Sequence, residues 1–408
     1  VDVLILTIGS AGDVHPFVGI GTALAARGHR VRVITSPYFG KPVTDAGLEL
    51  IPLGDASEFG DVVKNPEIWH HRRGVRAIFD IVLGGIRRTY DAVAGNVSPG
   101  TVVVSSSLGF GARIAQDKLG FKMATVHLAP SQFRSAIAPP RLPGLWMPAW
   151  LPLRVRKSIW AGGDKYFLDP MLAPRINTLR AEVGLGPASG ILNLWWNSPD
   201  RVIGLFPDWF GPPQTDWPPQ TVVTGFPRHD ESATRPVDPE LDEFLAAGPP
   251  PIVFTPGSAM AHGTDFLKTS VEICRGLNRR GLLLTQYTGH LPAALPEVVR
   301  RFSYAPFSRL FPRCAAVVHH GGIGTTAQAL AAGIPQLVTP FAHDQIDNGA
   351  RVTTLGVGRM VPAKRYRARS AGLLAAVIAE CADRAKTIAG RFVDDRSIEH
   401  TCQVIERM

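Results

Sequence analysis

Ala315-Ala316-Val317-Val318-His319-His320-Gly321-Gly322-Ile323-Gly324-Thr325-Thr326-Ala327-Gln328-Ala329-Leu330-Ala331-Ala332 passes from a β-type apolar run, through glycines, into a strong helix former that Gly333 can end. The reading is strand, glycine turn, helix N-terminus. Such a turn offers an anion backbone N–H groups and the positive end of a helix dipole. A histidine at its lip adds a donor for a phosphate oxygen. The plainer alternative is an ordinary strand-to-helix turn of an α/β protein. A second motif, Phe341-Ala342-His343-Asp344-Gln345, lies just past the next strand, where a sugar could sit.

On either side of this stretch, short β-type runs alternate with helical stretches. Strands are expected at Val1–Ile8, Arg30–Thr35, Thr101–Ser105 and Met123–His127, with helices at Phe17–Arg27 and Gly111–Leu119. The alternation resumes with strands at Pro251–Thr255, Leu282–Thr285, Ala315–His319 and Gln336–Thr339, and helices at Asp265–Arg279 and Thr325–Ala332. This pattern implies parallel sheets covered by helices. Between the halves the prolines crowd, as in Asp216-Trp217-Pro218-Pro219, and a linker is expected there. The expected organisation is a domain over 1–210, a linker over 211–235, a second domain over 236–390, and a C-terminal helix over 391–408 that packs back on the first. Two doubly wound domains in tandem place a ligand at the carboxyl ends of the strands, in a cleft between them.

The chain has 408 residues, 45% hydrophobic and 19% charged, which fits two globular domains with ample cores. Its net charge is +9, but the basic residues are scattered apart from clusters such as His70-His71-Arg72-Arg73 and Lys364-Arg365-Tyr366-Arg367-Ala368-Arg369. That argues against nucleic acid as a partner and favours acidic ligands or peripheral contact with an anionic membrane face. The four cysteines, 274, 314, 381 and 402, show no zinc spacing. With no signal-peptide pattern and no apolar run near the ~20 residues of a membrane span, the expectation is a reduced, cytoplasmic protein.

Gly9-Ser10-Ala11-Gly12-Asp13-Val14-His15-Pro16-Phe17 follows the first strand and lacks the G-x-G-x-x-G of a dinucleotide turn. Asp13 and His15 are candidate general bases there. Asp13 reads equally well as the cap of a helix beginning near Pro16. Ser258, in Thr255-Pro256-Gly257-Ser258, is either a phosphate contact or a helix cap. Tyr304-Ala305-Pro306-Phe307 offers aromatic faces and free backbone groups for a base, or is a packed loop. Asp344 beside Gln345 pairs an acceptor with an amide, as gripping vicinal hydroxyls requires. His343 reads as a packed loop residue. There is no D-x-D, no Walker loop and no G-x-S-x-G elbow.

On these motifs the chain resembles a metal-independent, inverting glycosyltransferase of family 1, with the GT-B fold of two Rossmann-like domains facing across a cleft. The resemblance covers nearly the whole chain. Within the family it is similar to the rhamnosyltransferases that form rhamnolipids, through Ile8–Val14, Asn197-Ser198-Pro199, Leu205–Gln214, Asp216-Trp217-Pro218, Thr224–Pro227 and Ala342–Gln345. It departs from them at His320, where they carry proline, and Val104–Ser107 lacks the aspartate that partners a histidine base in many members. The resemblance implies a hexosyl transfer, rhamnosyl favoured, from a dTDP or UDP sugar to a lipophilic hydroxyl such as that of a β-hydroxy fatty acyl compound. It also leaves open UDP-glucose transfer to a sterol, polyketide or phenolic acceptor, and a non-catalytic nucleotide- or lipid-binding subunit. It implies no cofactor and no metal. By position, Asp13 is the base, with His15 second. Ser258, His320, Gly322, Gly324 and Thr325 contact the diphosphate, Ala305 falls at the base loop, and Asp344 and Gln345 hold the sugar. The Pro/Trp-rich segment 139–160 suits an apolar acceptor or core packing, with Trp146, Trp150 and Trp195 as candidate acceptor contacts.

Overall fold

The computed structural model describes residues 1–408 except 71, 72, 146, 149, 234, 259, 261, 262 and 293. The chain divides into two compact units. Unit 1 comprises Val1–Val62, Arg72–His229 and Arg396–Met408; unit 2 comprises Val63–His71 and Asp230–Asp395.

Unit 1 is built on β1 (Asp2–Leu6), β2 (Arg30–Thr35), β3 (Glu49–Pro52), β4 (Val102–Ser106), β5 (Lys122–His127), β6 (Arg201–Gly204) and β7 (Thr221–Val223). All pairings are parallel, in the order β3-β2-β1-β4-β5-β6-β7. The central strands, Val-Leu-Ile-Leu of β1 and Val-Val-Val of β4, are buried on both faces. That is why they read as continuous apolar runs rather than alternating ones.

Unit 2 is built on β8 (Ile252–Thr255), β9 (Gly281–Leu284), β10 (Val299–Phe302), β11 (Ala316–His319), β12 (Gln336–Val338) and β13 (Gly358–Met360). Its order is β10-β9-β8-β11-β12-β13, again parallel. Each unit therefore runs third-second-first-fourth-fifth-sixth, the doubly wound order, with β7 as an extra strand in unit 1. In each unit the strand order reverses between the first and fourth strands, and the turns after those two strands are where a ligand is expected.

Three sequence expectations change. The stretch 211–235 is not a free linker: through His229 it belongs to unit 1 and supplies β7. Its prolines crowd an edge strand, where a missing N–H is tolerated, and Thr221-Val222-Val223 is a β-branched run. The first helix begins at Ala11, not near Pro16, and carries Pro16 inside it. The carbonyl that Pro16 leaves unpaired is that of Gly12, which is exposed to water. The third concerns the C-terminal half: segment 63–71, far away in sequence, belongs to unit 2.

The C-terminal helix Ser397–Glu406 packs on the first helix within unit 1. Ser397 Oγ donates to the Phe226 carbonyl at 2.7 Å, and Thr401 Oγ1 to Thr224 Oγ1 at 2.8 Å. Among the described residues no helix is long and apolar enough to cross a membrane.

Candidate functional site

In unit 1 the turn after β1 is organised around one carboxylate. Ser10 caps the first helix, and Asp13 stands three residues on. Asp13 Oδ2 accepts from Ser10 N at 2.7 Å and from Ser10 Oγ at 3.0 Å, a capping box that satisfies the helix's first donors. Gly9 has φ +139°, and a Cβ there would lie 2.3 Å from Asp13 Oδ2, so only glycine lets the carboxylate fold back on the turn. Burial raises the Asp13 pKa above the ordinary value, although the Ser10 N–H and hydroxyl oppose it. Asp13 Oδ1 takes no hydrogen bond among the described residues. Capping thus engages one oxygen of the carboxylate and leaves the lone pairs of the other uncommitted. His15, two residues on, meets the His229 ring edge to face at 6.3 Å.

Also at the carboxyl end of this sheet, the loops after β5 and β6 and the helices Leu153–Gly163 and Asp169–Glu182 border a cavity of about 810 Å³. Arg134, Lys157, Trp160, Lys165, Asp169 and Asp216 are among its lining residues. Trp160 donates Nε1–H to the Ser135 carbonyl at 3.0 Å, and the Arg134 guanidinium lies 4.3 Å over its ring while pairing with Asp164.

The acceptor candidates fare differently. Trp195 is a core residue, not a wall of this cavity. Its ring lies parallel to Phe110 and carries Arg113 and Arg180 on its faces, and its Nε1–H donates to Asp117 Oδ2 at 2.8 Å. Three cationic or aromatic neighbours satisfy its large apolar surface internally. Trp150 is 71% exposed and is not among the cavity-lining residues. Trp146 lies outside the described residues, as do His71 and Arg72 of the first basic cluster.

In unit 2 the opening stretch forms β11, a turn at His320–Gly322 and the helix Ile323–Ala332. Gly322 is the N-cap, and no side chain caps the helix. The first N–H groups of a helix have no partner within it, so they remain available. A Cβ on Gly324 would meet nothing within 4 Å, and the helix N-terminus is therefore open on that side. Gly321, at φ +92°, is pressed between Val338 and the Gln345 carbonyl, where a Cβ would lie 2.7 and 2.9 Å from them.

The two histidines of this turn do different work. His319 is fully buried and donates Nε2–H to Gln336 Oε1 at 3.0 Å, while its Nδ1 accepts from Gly321 N at 3.1 Å. Burial, with His320 adding to it, lowers its pKa to about 3. It is a neutral strut for the turn. His320 sits between two glycines, with a Cβ on Gly322 falling 2.3 Å from Nε2 and one on Gly257 2.8 Å from Cε1. Its Nδ1 is buried without a partner, and burial lowers its pKa to about 4. The ring is therefore neutral at pH 7 and carries one N–H rather than a charge.

Asp344 is the N-cap of the helix Gln345–Thr354. Gln345 Oε1 accepts from Phe341 N at 2.8 Å and Ala342 N at 3.1 Å, which fixes the loop and leaves the amide nitrogen as its free end. The tie between this loop and the glycine turn is Asn348. Its Nδ2 donates to the Gly321 carbonyl at 3.0 Å and to Asp344 Oδ2 at 2.7 Å. Sequence reading missed Asn348; its signal was a polar residue one helical turn after Asp344. Ser258 is exposed, and its carbonyl accepts from Gln286 Nε2 at 3.1 Å. Ala305 is buried among Phe302, Leu310 and Phe311, so its side chain is closed to a base. Among the described residues no three His, Cys, Asp or Glu side chains gather in metal-ligand fashion.

Comparison with known proteins places both units. Residues 3–138 match the glycosyltransferase family 28 N-terminal domain, and residues 282–405 the C-terminal domain described as erythromycin biosynthesis protein CIII-like. The chain is 32% identical to the O-mycaminosyltylonolide 6-deoxyallosyltransferase of Streptomyces fradiae, over 99% of this chain and 96% of that one. It shares its fold with the crystal structure of the glycotransferase of kitacinnamycin (TM-score 0.74, 20% identity, 100% of this chain and 98% of that one). It likewise matches the glycosyltransferase VinC in complex with dTDP (TM-score 0.70, 20% identity, all of both chains). These similarities do not support the expected kinship with rhamnolipid-forming enzymes; they run to glycosyltransferases named for natural products. Similarity to a glycosyltransferase over nearly the whole chain, matching family models in both units and the two parallel sheets together establish that the chain belongs to the GT-B glycosyltransferases.

Proposed function

We propose that the protein transfers a hexosyl group, with inversion and without a metal, from a dTDP sugar to a hydroxyl of a natural-product acceptor of the polyketide or sterol kind. The observation that carries this reading is the uncapped helix N-terminus at Ile323, open at Gly324, with His320 held between Gly257 and Gly322 beside it. A leaving diphosphate needs donors fixed in advance where negative charge develops, and backbone N–H groups with a neutral imidazole supply them. The dTDP preference is drawn from the dTDP complex of VinC, and the acceptor class from the named activities of relatives such as the tylonolide enzyme and the sterol 3-beta-glucosyltransferase UGT80A2 of Arabidopsis thaliana.

In the proposed reaction the acceptor oxygen attacks the anomeric carbon and its proton passes to Asp13. The bond from that carbon to the diphosphate oxygen breaks, and the electron pair leaves with the diphosphate. A carboxylate whose pKa is raised by burial is the better base near neutral pH. His15 is second to it. The diphosphate is assigned to His320, Gly322, Gly324, Thr325 and Ser258, and the sugar to Asp344 and the amide nitrogen of Gln345. The cavity bordered by Trp160 is assigned to the acceptor. Incubation with a panel of dTDP and UDP hexoses and with polyketide, sterol and hydroxyacyl alcohols, read by mass spectrometry, tests the assignment. A glycosylated polyketide or sterol is expected; transfer to hydroxyacyl chains alone would overturn the acceptor class.

A further inference from the structure

Segment 63–71 belongs to unit 2, and its short helical turn Pro66–Trp69 reaches the loop that carries Asp344. The His343 ring hydrogen-bonds the backbone of Ile68, and the Trp69 ring meets it edge to face with centroids 5.8 Å apart. His343 has φ +59°, a left-handed conformation that a histidine adopts at a cost and that surrounding contacts must hold. Asp344 is the next residue, so the same contacts fix the start of the sugar-binding pair.

Two polar atoms in this contact are left over. Trp69 Nε1 and His343 Nε2 are both buried, and neither has a hydrogen-bond partner. Buried polar groups are almost always satisfied, and an exception asks for a missing group. The indole nitrogen is a donor only. Burial keeps the His343 imidazole neutral, and its bond to Ile68 favours the proton on the other ring nitrogen, so Nε2 offers a lone pair. A hydroxyl, like water, accepts and donates at once, and beside a sugar-binding pair the hydroxyl at hand is one of the sugar's own.

We propose that Trp69 and His343 are specificity-determining residues for the donor sugar: one sugar hydroxyl accepts from the indole N–H and donates to the imidazole Nε2, beside Asp344. This rests on the reading of Asp344 as a sugar contact.

The test is calorimetric binding, without acceptor, of dTDP and of a panel of dTDP-hexoses from which hydroxyls are removed one at a time. W69F keeps a ring against His343 and removes only the N–H. H343N keeps an acceptor in a residue type that tolerates positive φ. W69F is expected to weaken the best-bound dTDP-hexose about tenfold while leaving dTDP itself unchanged. It should also erase the wild type's discrimination against one monodeoxy donor, and H343N should retain part of that discrimination. Unchanged affinity for every donor in both variants, or an equal loss for dTDP, would overturn the proposal. D344N separates the two readings. If it weakens hexose binding while the ring variants do not, this inference alone fails; if it too has no effect, the sugar assignment of Asp344 fails with it.

Discussion

The two units wind their sheets in the same order, yet the turns after their fourth strands are opposites. In unit 1 the helix Phe110–Leu119 after β4 starts in the core. A Cβ on Gly109 would fall 2.1 Å from Ser105 Oγ, and one on Gly111 2.2 Å from Thr89 Oγ1. In unit 2 the helix after β11 starts at an open surface, uncapped, with space over Gly324. The same topology thus makes a packed helix end in one unit and an open, uncapped one, the proposed anion site, in the other. The difference lies in whether small residues admit a neighbouring element or leave the helix end open. Protonation differs between the turns as well. The turn after β1 holds a carboxylate with a raised pKa, and the turn after β11 holds histidines kept neutral.

The largest effect should come from the unit 1 turn. D13N removes the assigned base and should lower kcat by about 10²–10⁴-fold, with dTDP binding unchanged because that site lies in unit 2. Steady-state rates and calorimetry on the same sample check both halves. In unit 2 the order reverses: H320A should weaken dTDP binding about 10–100-fold, as loss of a hydrogen bond to a charged group does, and should leave acceptor binding intact.

Substitution at the paired glycines probes folding rather than chemistry. G321A puts a Cβ against Val338 and the Gln345 carbonyl at positive φ, and should destabilise unit 2 by about 1–3 kcal/mol in denaturant unfolding.

Acid gives the smallest and most graded contrast. His319, His320 and His343 in unit 2 and His127 in unit 1 have folded pKa values of about 3, 4, 4 and 4, below the unfolded value. Above about pH 6.5 both states are neutral and nothing changes. As pH falls below that, the unfolded chain binds protons first, and each histidine costs about 1.4 kcal/mol per pH unit until its folded pKa is reached. Limited proteolysis from pH 7 to 5 should therefore open unit 2 before unit 1, and replacing His319 by a neutral glutamine should lessen the pH slope.

Much of this was legible in the chain. The long apolar runs of β1, β4, β8 and β11 and the glycine turn at 319–324 announce themselves, because strands buried on both faces and an uncapped helix start have strong local signatures. The edge strands β7, β10 and β13, of three or four residues, carry too few side chains to stand out. Asp13 could be read as cap or base, and the structure lets one carboxylate do the capping with Oδ2 alone. Trp195 looked like an acceptor wall because a tryptophan in a proline-rich neighbourhood says nothing about which way it faces. Docking of 66–69 on His343 is a long-range contact with no local pattern at all. The proline of the rhamnolipid enzymes, absent at His320, was the local sign against kinship with them.

The diphosphate is assigned to the unit 2 turn after β11, and not to the turn after β1 that starts the first helix of unit 1. Gly324 and Gly12 both lie in the first turn of a helix, and a Cβ at either meets no close contact. A carboxylate there also favours the helix itself. The direct measurement is calorimetric titration of dTDP into G324D and G12D. G324D should keep the wild-type melting temperature but lose dTDP binding by at least about 100-fold through like-charge repulsion, while G12D should bind as wild type. Wild-type affinity in G324D, or a loss confined to G12D, would contradict that assignment.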